Sequence, residues 1–188
     1  MSYLEMKQER TKNDRGLNKK KVESLDTGKI REELTEYRKK HPRSLSNWSK
    51  EVIFTILETA PLRLSELTNL KWEDDGESNW IDIEKSKLII RKHKAQKSIG
   101  PKRFDLTDRQ VSFLTEYKAT WPFDYVLIAN NKPYRSISIS ESGIRTMFSR
   151  YMRKYKKEHN LKGAIGIHAI RQNFATKKLN DLNLGIEM

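Results

Sequence analysis

IHAIRQNFAT, residues Ile167 to Thr176, sets a histidine and an arginine three residues apart beside an apolar line. At about 100° per residue, a helix places His168 and Arg171 roughly 60° apart, next to Ile167, Ile170 and Phe174. One flank can pack while the other offers two donors. A phosphate matches that pair, since a planar guanidinium grips two oxygens at once and an imidazole donates a proton or a hydrogen bond. By itself the pair also fits a solvated helix face beside a core stripe, so its reading depends on the rest of the chain.

Working outward, the segment before it reads as a long helix capped by Ser142. Its apolar face is Ile144, Met147, Phe148, Tyr151, Met152 and Tyr155, at spacings of three, one, three, one and three. That stripe is a core face, so Tyr151 and Tyr155 are expected to pack rather than to attack a substrate. The other face is basic: from Arg145 to Lys162, seven Lys and Arg stand against one Glu, a net +6. A second basic stretch runs from Lys85 to Arg109, where nine Lys and Arg stand against two Asp, a net +7. Together they equal the +13 that 38 basic and 25 acidic residues give the whole chain. Charge segregated in this way points to a polyanionic partner.

Further upstream the period changes. Ile81 and Ile83 alternate with polar residues, a turn follows near Lys85 and Ser86, and Leu88, Ile89 and Ile90 form a short apolar run. Gly100 and Pro101 mark a second turn before Lys102 to Leu106. This pattern predicts a small antiparallel sheet of about three strands, with Lys94 and Lys97 at or near the tip of its second hairpin. Val111, Leu114 and Tyr117 predict a helix that breaks at Trp121 and Pro122, and Tyr125 to Ile128 reads as a buried strand or extended link.

Before the sheet, Ser44 to Asn47 form a cluster of capping residues, and Trp48, Val52, Ile53, Ile56, Leu57 and Ala60 follow in a helical pattern. Pro61 interrupts it, and a second helical run is expected from Leu62 to Trp72, which puts Arg63 at or near a helix start where an anion is favoured. An ordinary ion pair between Arg63 and Glu66, one turn on, is the plainer alternative. Residues 1–44 are highly charged and read as an arm or linker with one short helix over 29–40, ended by His41 and Pro42; residues 45–188 read as one α+β domain.

Several classes are excluded or disfavoured. With no cysteine, neither a disulfide framework nor a thiolate metal site can form. No run approaches the roughly 18 apolar residues of a membrane span, and the polar N-terminus is unlike a signal peptide, so a soluble cytoplasmic protein without a membrane partner is expected. Gly-rich phosphate loops and metal-ligand clusters are not found, and no cofactor or metal is expected.

The order of parts is helix with Arg63, basic sheet, basic helix, and His168-x-x-Arg171 helix. In that order the chain resembles the tyrosine recombinase, or phage integrase, family. ETAPLRLSELTNLKWEDD is similar to the family's TGLRxSELxxLxWxD block, and HAIRQNFAT to its HxLRHTFAT block, with the hairpin KHKAQKSIGPKRFDL between them. The resemblance covers roughly residues 45 to 185. It implies a mainly helical integrase-type catalytic domain with a small antiparallel three-stranded sheet. The implied activity is site-specific DNA recombination, in which a tyrosine attacks a DNA phosphate, forms a 3′-phosphotyrosyl link and frees a 5′-hydroxyl, without metal or ATP.

Residue by residue, the resemblance implies that Arg63 and Arg171 clamp the non-bridging oxygens, that His168 assists, and that Lys94 protonates the leaving oxygen, with Lys97 as the next candidate. Glu66 matches a supporting acidic residue. Pro61 replaces a glycine of the pattern and Gln172 a histidine. No tyrosine follows Tyr155. The expectation is therefore a truncated recombinase that keeps the phosphate cradle and affinity for double-stranded DNA but cannot cleave alone. A non-catalytic module that occupies recombination sites or assists a full-length recombinase in trans is the alternative, with self-association on DNA as a further contact; a basic DNA- or RNA-binding domain without a recombination role is a third reading.

Overall fold

Asp26 opens the first helix, α1 (Thr27–Lys40), by accepting from the Lys29 N–H at 3.0 Å, which satisfies one of the free donors of the first turn. The computed structural model describes residues 25–91, 100–129, 137–162 and 166–184, with side chains to residue 177. Ile30 and Leu34 on α1 are fully buried, each worth about 1.5–3 kcal/mol relative to exposure. The helix expected over 29–40 is present, and its inner stripe belongs to the same apolar cluster as the residues after 45. Arg38 joins the two parts. It donates from Nε to Glu51 at 2.7 Å, and its guanidinium lies 4.4 Å from the centre of the Trp48 ring.

The second helix, α2 (Leu45–Thr59), is the axis of the core because it is apolar nearly all round, with Trp48, Val52, Ile53, Phe54, Ile56 and Leu57 all buried. Trp48 Nε1 donates to the Pro42 carbonyl at 2.8 Å, which fixes the approach of α1 to α2. Ala60, extended before Pro61, ends the helix.

The helical run expected over 62–72 shrinks to one turn, α3 (Leu64–Leu67). Asn69 turns the chain at φ 59°, and the backbone that follows pairs with sheet partners instead. The Lys71 N–H donates to Asn79 O, Ile81 N–H to Lys71 O and Val126 N–H to Leu70 O, at 2.9, 2.9 and 2.8 Å. Periodicity over Leu64, Leu67 and Leu70 cannot distinguish these outcomes, because Leu67 and Leu70 are buried and Leu64 half-buried without a continuous helix.

Strands β1 (Trp80–Asp82), β2 (Lys87–Ile90) and β3 (Lys102–Asp105) form one antiparallel sheet in the order β1-β2-β3. Ile81 pairs with Leu88, and Leu88 with Phe104. Ser86 at φ 52° makes the first turn, as the sequence suggests; the tip of the second hairpin lies outside the described residues.

Helix α4 (Asp108–Thr120) starts in a reciprocal cap between Thr107 and Gln110, and its Tyr117 donates to Val126 O at 2.8 Å. Residues Val126 to Ile128 are a buried link, bent at Val126 and Leu127. Helix α5 (Glu141–Glu158) is capped by Ser140 rather than Ser142: Ser140 Oγ accepts from the Gly143 N–H at 3.1 Å. Two serines two positions apart look alike in sequence; the one whose backbone is still extended, at ψ 158°, takes the cap. The last helix, α6 (Ile167–Leu184), packs its Ile170 and Phe174 into the core, with Phe174 edge-on to Phe54. Because α3 and α6 both contact α5, the two sequence blocks that frame the chain meet at its polar side.

Candidate functional site

Arg63 is the last extended residue before α3, at φ −77° and ψ 159°. Its N–H donates to the Glu66 carboxylate at 2.6 Å, so Glu66 holds the turn closed, and the Arg63 side chain keeps only a loose approach to the same carboxylate at 3.9 Å. The plain Arg63–Glu66 ion pair is therefore present but weak, and the guanidinium remains exposed. Glu66 itself is buried, and Asn79 Nδ2 donates to its backbone carbonyl at 3.0 Å, tying the turn to the sheet.

His168 and Arg171 lie in the first turns of α6, one exposed and one half-buried. Arg171 Nε donates to the Pro61 carbonyl at 2.7 Å, two residues before Arg63. That single bond orients the guanidinium fork against the start of the other block. Arg63, His168 and Arg171 line one cavity of about 540 Å³, which the first turn of α6 closes at one side through Gly166 and Ile167. The free N–H groups of that turn add a positive end to the same space.

The row Glu141, Arg145 and Ser149 on α5 forms the facing wall. These residues stand four apart, so they share a helix face, and that spacing was readable as a polar row. Their direction was not, since α5 is basic over most of its outer surface. Among the described residues no carboxylate pairs with Arg145, His168 or Arg171. The cavity thus collects three guanidinium groups and an imidazole around one acidic side chain, Glu141, an arrangement suited to an anion with several oxygens.

Lys94 and Lys97, the two candidates on the hairpin, lie outside the described residues. The base of that hairpin is less basic than its sequence suggests. Arg91 pairs with Asp74 at 2.9 Å and Arg109 with Glu58 at 2.7 Å, while Lys87 pairs with Asp105 and Lys85 with Asp82. Arg91 also lies 4.6 Å from the centre of the Trp80 ring, and its guanidinium holds the Asp74 carboxyl below the usual carboxylate range. By contrast, Arg145, Arg150 and Arg153 on α5 are exposed and carry no ion pair among the described residues.

Tyr151 and Tyr155 are packed, as their positions in the apolar stripe imply, at 7% and 3% exposure. Burial, with the Glu33 charge nearby, pushes the Tyr155 hydroxyl up to about 12 and raises Tyr151 as well. Neither lines the cavity of Arg63. Among the described residues no cluster of three His, Cys, Asp or Glu could hold a metal ion, and no helix is long and apolar enough to cross a membrane.

No protein-family profile matches the sequence, and no curated protein matches it. Solved structures do. A XerA recombinase crystal structure is similar at 21% identity and a TM-score of 0.55, over 80% of this chain and 48% of that one. The Tn1549 transposon integrase in complex with transposon right end DNA is similar at 18% identity and a TM-score of 0.61, over 87% and 55%. The same integrase with circular intermediate DNA gives 18% and 0.60, over 87% and 56%. The chain spans about half the length of these structures, and its fold, a helical body with a three-stranded antiparallel sheet, is similar to theirs.

Proposed function

We propose that this chain binds duplex DNA as a tyrosine-recombinase-type domain and holds a phosphodiester in the cavity of Arg63, His168 and Arg171. One observation carries the reading: Arg171 is anchored on the Pro61 carbonyl beside Arg63, so two blocks about a hundred residues apart present their guanidinium groups to one cavity. The Tn1549 integrase structures, solved with DNA, support the choice of ligand.

The chemistry proposed for the site is DNA strand cleavage and rejoining. A tyrosine oxygen forms a bond to phosphorus, the bond to the 5′-oxygen breaks, and that oxygen takes a proton from Lys94 or, failing that, Lys97; a 5′-hydroxyl of a second strand reverses the step. Arg63 and Arg171 would stabilise the charge that grows on the non-bridging oxygens, a contribution of several kcal/mol for preorganised donors. His168 would take the proton that the attacking hydroxyl gives up and return it in the reverse step, and Glu66 would position Arg63.

A second reading follows from the tyrosines. None of those described lines the cavity, and the sequence has none after Tyr155. We therefore infer that these 188 residues do not cleave by themselves and that the nucleophile comes from outside them, including from a second recombinase in trans. The test is a labelled duplex with a nick near the recombination site, incubated with the chain alone and with an active recombinase. A covalent protein–DNA adduct on this chain alone would overturn the second reading; DNA binding insensitive to Arg63→Ala and Arg171→Ala would overturn the first.

A further inference from the structure

On the other side of α5 lies a second cavity, of about 710 Å³, bounded by α1 and α2. Arg145 and Ser149 face the first cavity, whereas Thr146, Arg150 and Lys154 line the second. At about 100° per residue these two rows are turned roughly 120° from each other, so one helix separates two distinct spaces.

Lys50, Arg150 and Lys154 share the second cavity, and no carboxylate is on its lining. Lys154 has a countercharge in Glu158, 3.6 Å away and one turn on, and it also meets the Tyr37 hydroxyl. Lys50 reaches only Asn47 Oδ1, at 3.0 Å, among the described residues. Burial and the neighbouring Lys154 hold its pKa below the usual lysine range, as expected of two like charges that face each other without an anion between them.

A separate observation comes from Tyr151, which is 7% exposed and lines the same cavity. Its hydroxyl is buried without a hydrogen-bond partner among the described residues, and burial raises its pKa, so it remains a donor in want of an acceptor. Ser140 and Gly143 add the N-terminal end of α5, where the helix dipole favours negative charge. Leu34 and Met147 supply apolar wall, and the volume is in the range of small-molecule sites.

We propose that this cavity is a second phosphate-binding site, in which Lys50, Arg150 and Lys154 take a phosphate group of a free nucleotide or of a nucleic-acid backbone. It is independent of the reading of the Arg63 cavity. The three cations neutralise the phosphate oxygens.

Inorganic pyrophosphate titrated by calorimetry tests it, in the protein carrying Arg63→Gln, Arg145→Gln and Arg171→Gln so that the first cavity has lost its three guanidinium groups. One binding event should remain. Adding Arg150→Gln, at an exposed position, should weaken it about tenfold, the scale of one lost charge-assisted hydrogen bond. Lys50→Gln should do the same, with the unfolding temperature measured alongside to exclude loss of the fold. Tighter binding of ATP than of pyrophosphate identifies a free nucleotide as the source. Loss of duplex affinity in Arg150→Gln, with pyrophosphate competing for the remainder, identifies a backbone phosphate. Absence of the residual binding event, or its persistence unchanged in both Arg150→Gln and Lys50→Gln, would overturn the proposal.

Discussion

Arg171 Nε and the Pro61 carbonyl meet at 2.7 Å across 110 positions of sequence, and this bond joins the two blocks that line one cavity. It also accounts for a proline where the recombinase pattern has a glycine. The position contributes its carbonyl, which proline retains, and it sits in extended backbone after Ala60, which proline favours.

The bond makes Arg171 hard to replace by another cation. Arg171→Lys keeps the charge but has a single nitrogen, which cannot hold Pro61 and present a fork to a phosphate. Duplex affinity should fall about tenfold or more in Arg171→Lys, close to the loss in Arg171→Ala, as read by fluorescence anisotropy. Wild-type affinity in the lysine variant would show that only charge at this position matters.

DNA binding should weaken steeply with salt, since each neutralised phosphate contributes about −0.9 to the log-log slope. Arg145 is exposed, unpaired among the described residues and on the cavity wall. Arg145→Ala should lower the magnitude of that slope by about one. Arg109, already paired with Glu58 at 2.7 Å, should change it less when mutated. A flat salt response would sink both the duplex reading and the role of α5.

The proposed boundary near residue 44 can be tested through the buried pair. Glu51 is 6% exposed, and it accepts from Arg38 at 2.7 Å and from Thr35 at 2.8 Å. Glu51→Ala leaves Arg38 in the interior with Glu116, at 3.2 Å, as its remaining carboxylate among the described residues. A destabilisation of about 3 kcal/mol, the low end for a broken buried pair, is expected in denaturant unfolding. A chain that begins at residue 45 should lose more, because Ile30 and Leu34 leave the core; unfolding of that shortened chain at the wild-type midpoint would make α1 dispensable.

Alkaline stability should follow Tyr155. Burial pushes its hydroxyl up to about 12, above the ordinary tyrosine value of about 10, so the folded state keeps a proton that the unfolded chain releases. The contribution is fully present below about pH 10 and is lost as pH rises toward 12, because the unfolded state binds fewer protons in that window. Tyr155→Phe should flatten the fall in stability over this interval, although Tyr151 and Tyr117, also raised, retain part of it. An unchanged pH profile in Tyr155→Phe would place the titration elsewhere.

Much of the fold was legible because it rests on local periodicity. The stripe Ile144 to Tyr155, the alternation around Ile81 and the buried face of Trp48 to Leu57 each carry their geometry in spacing alone, and the structure contains the corresponding helix, strand and helix. The misreadings share one cause. The run Leu62 to Trp72 and the cap of α5 were decided by long-range backbone hydrogen bonds and by one residue's backbone angle, neither of which leaves a periodic signal. Charge showed the same divide: the stretch around Lys85 to Arg109 looked like the larger cation patch, yet carboxylates from Glu58, Asp74 and Asp82 reach into it.

The sequence by itself determined which residues could grip a phosphate, because Arg63, His168 and Arg171 are chemical types at helical spacing within two recognisable blocks. Only the tertiary structure decided that these three share a cavity, that Arg145 joins them, and that α5 separates this cavity from the one around Lys50 and Tyr151. The physical reason is that side-chain identity and period are properties of neighbours along the chain, whereas the direction a helix face points depends on what that helix packs against.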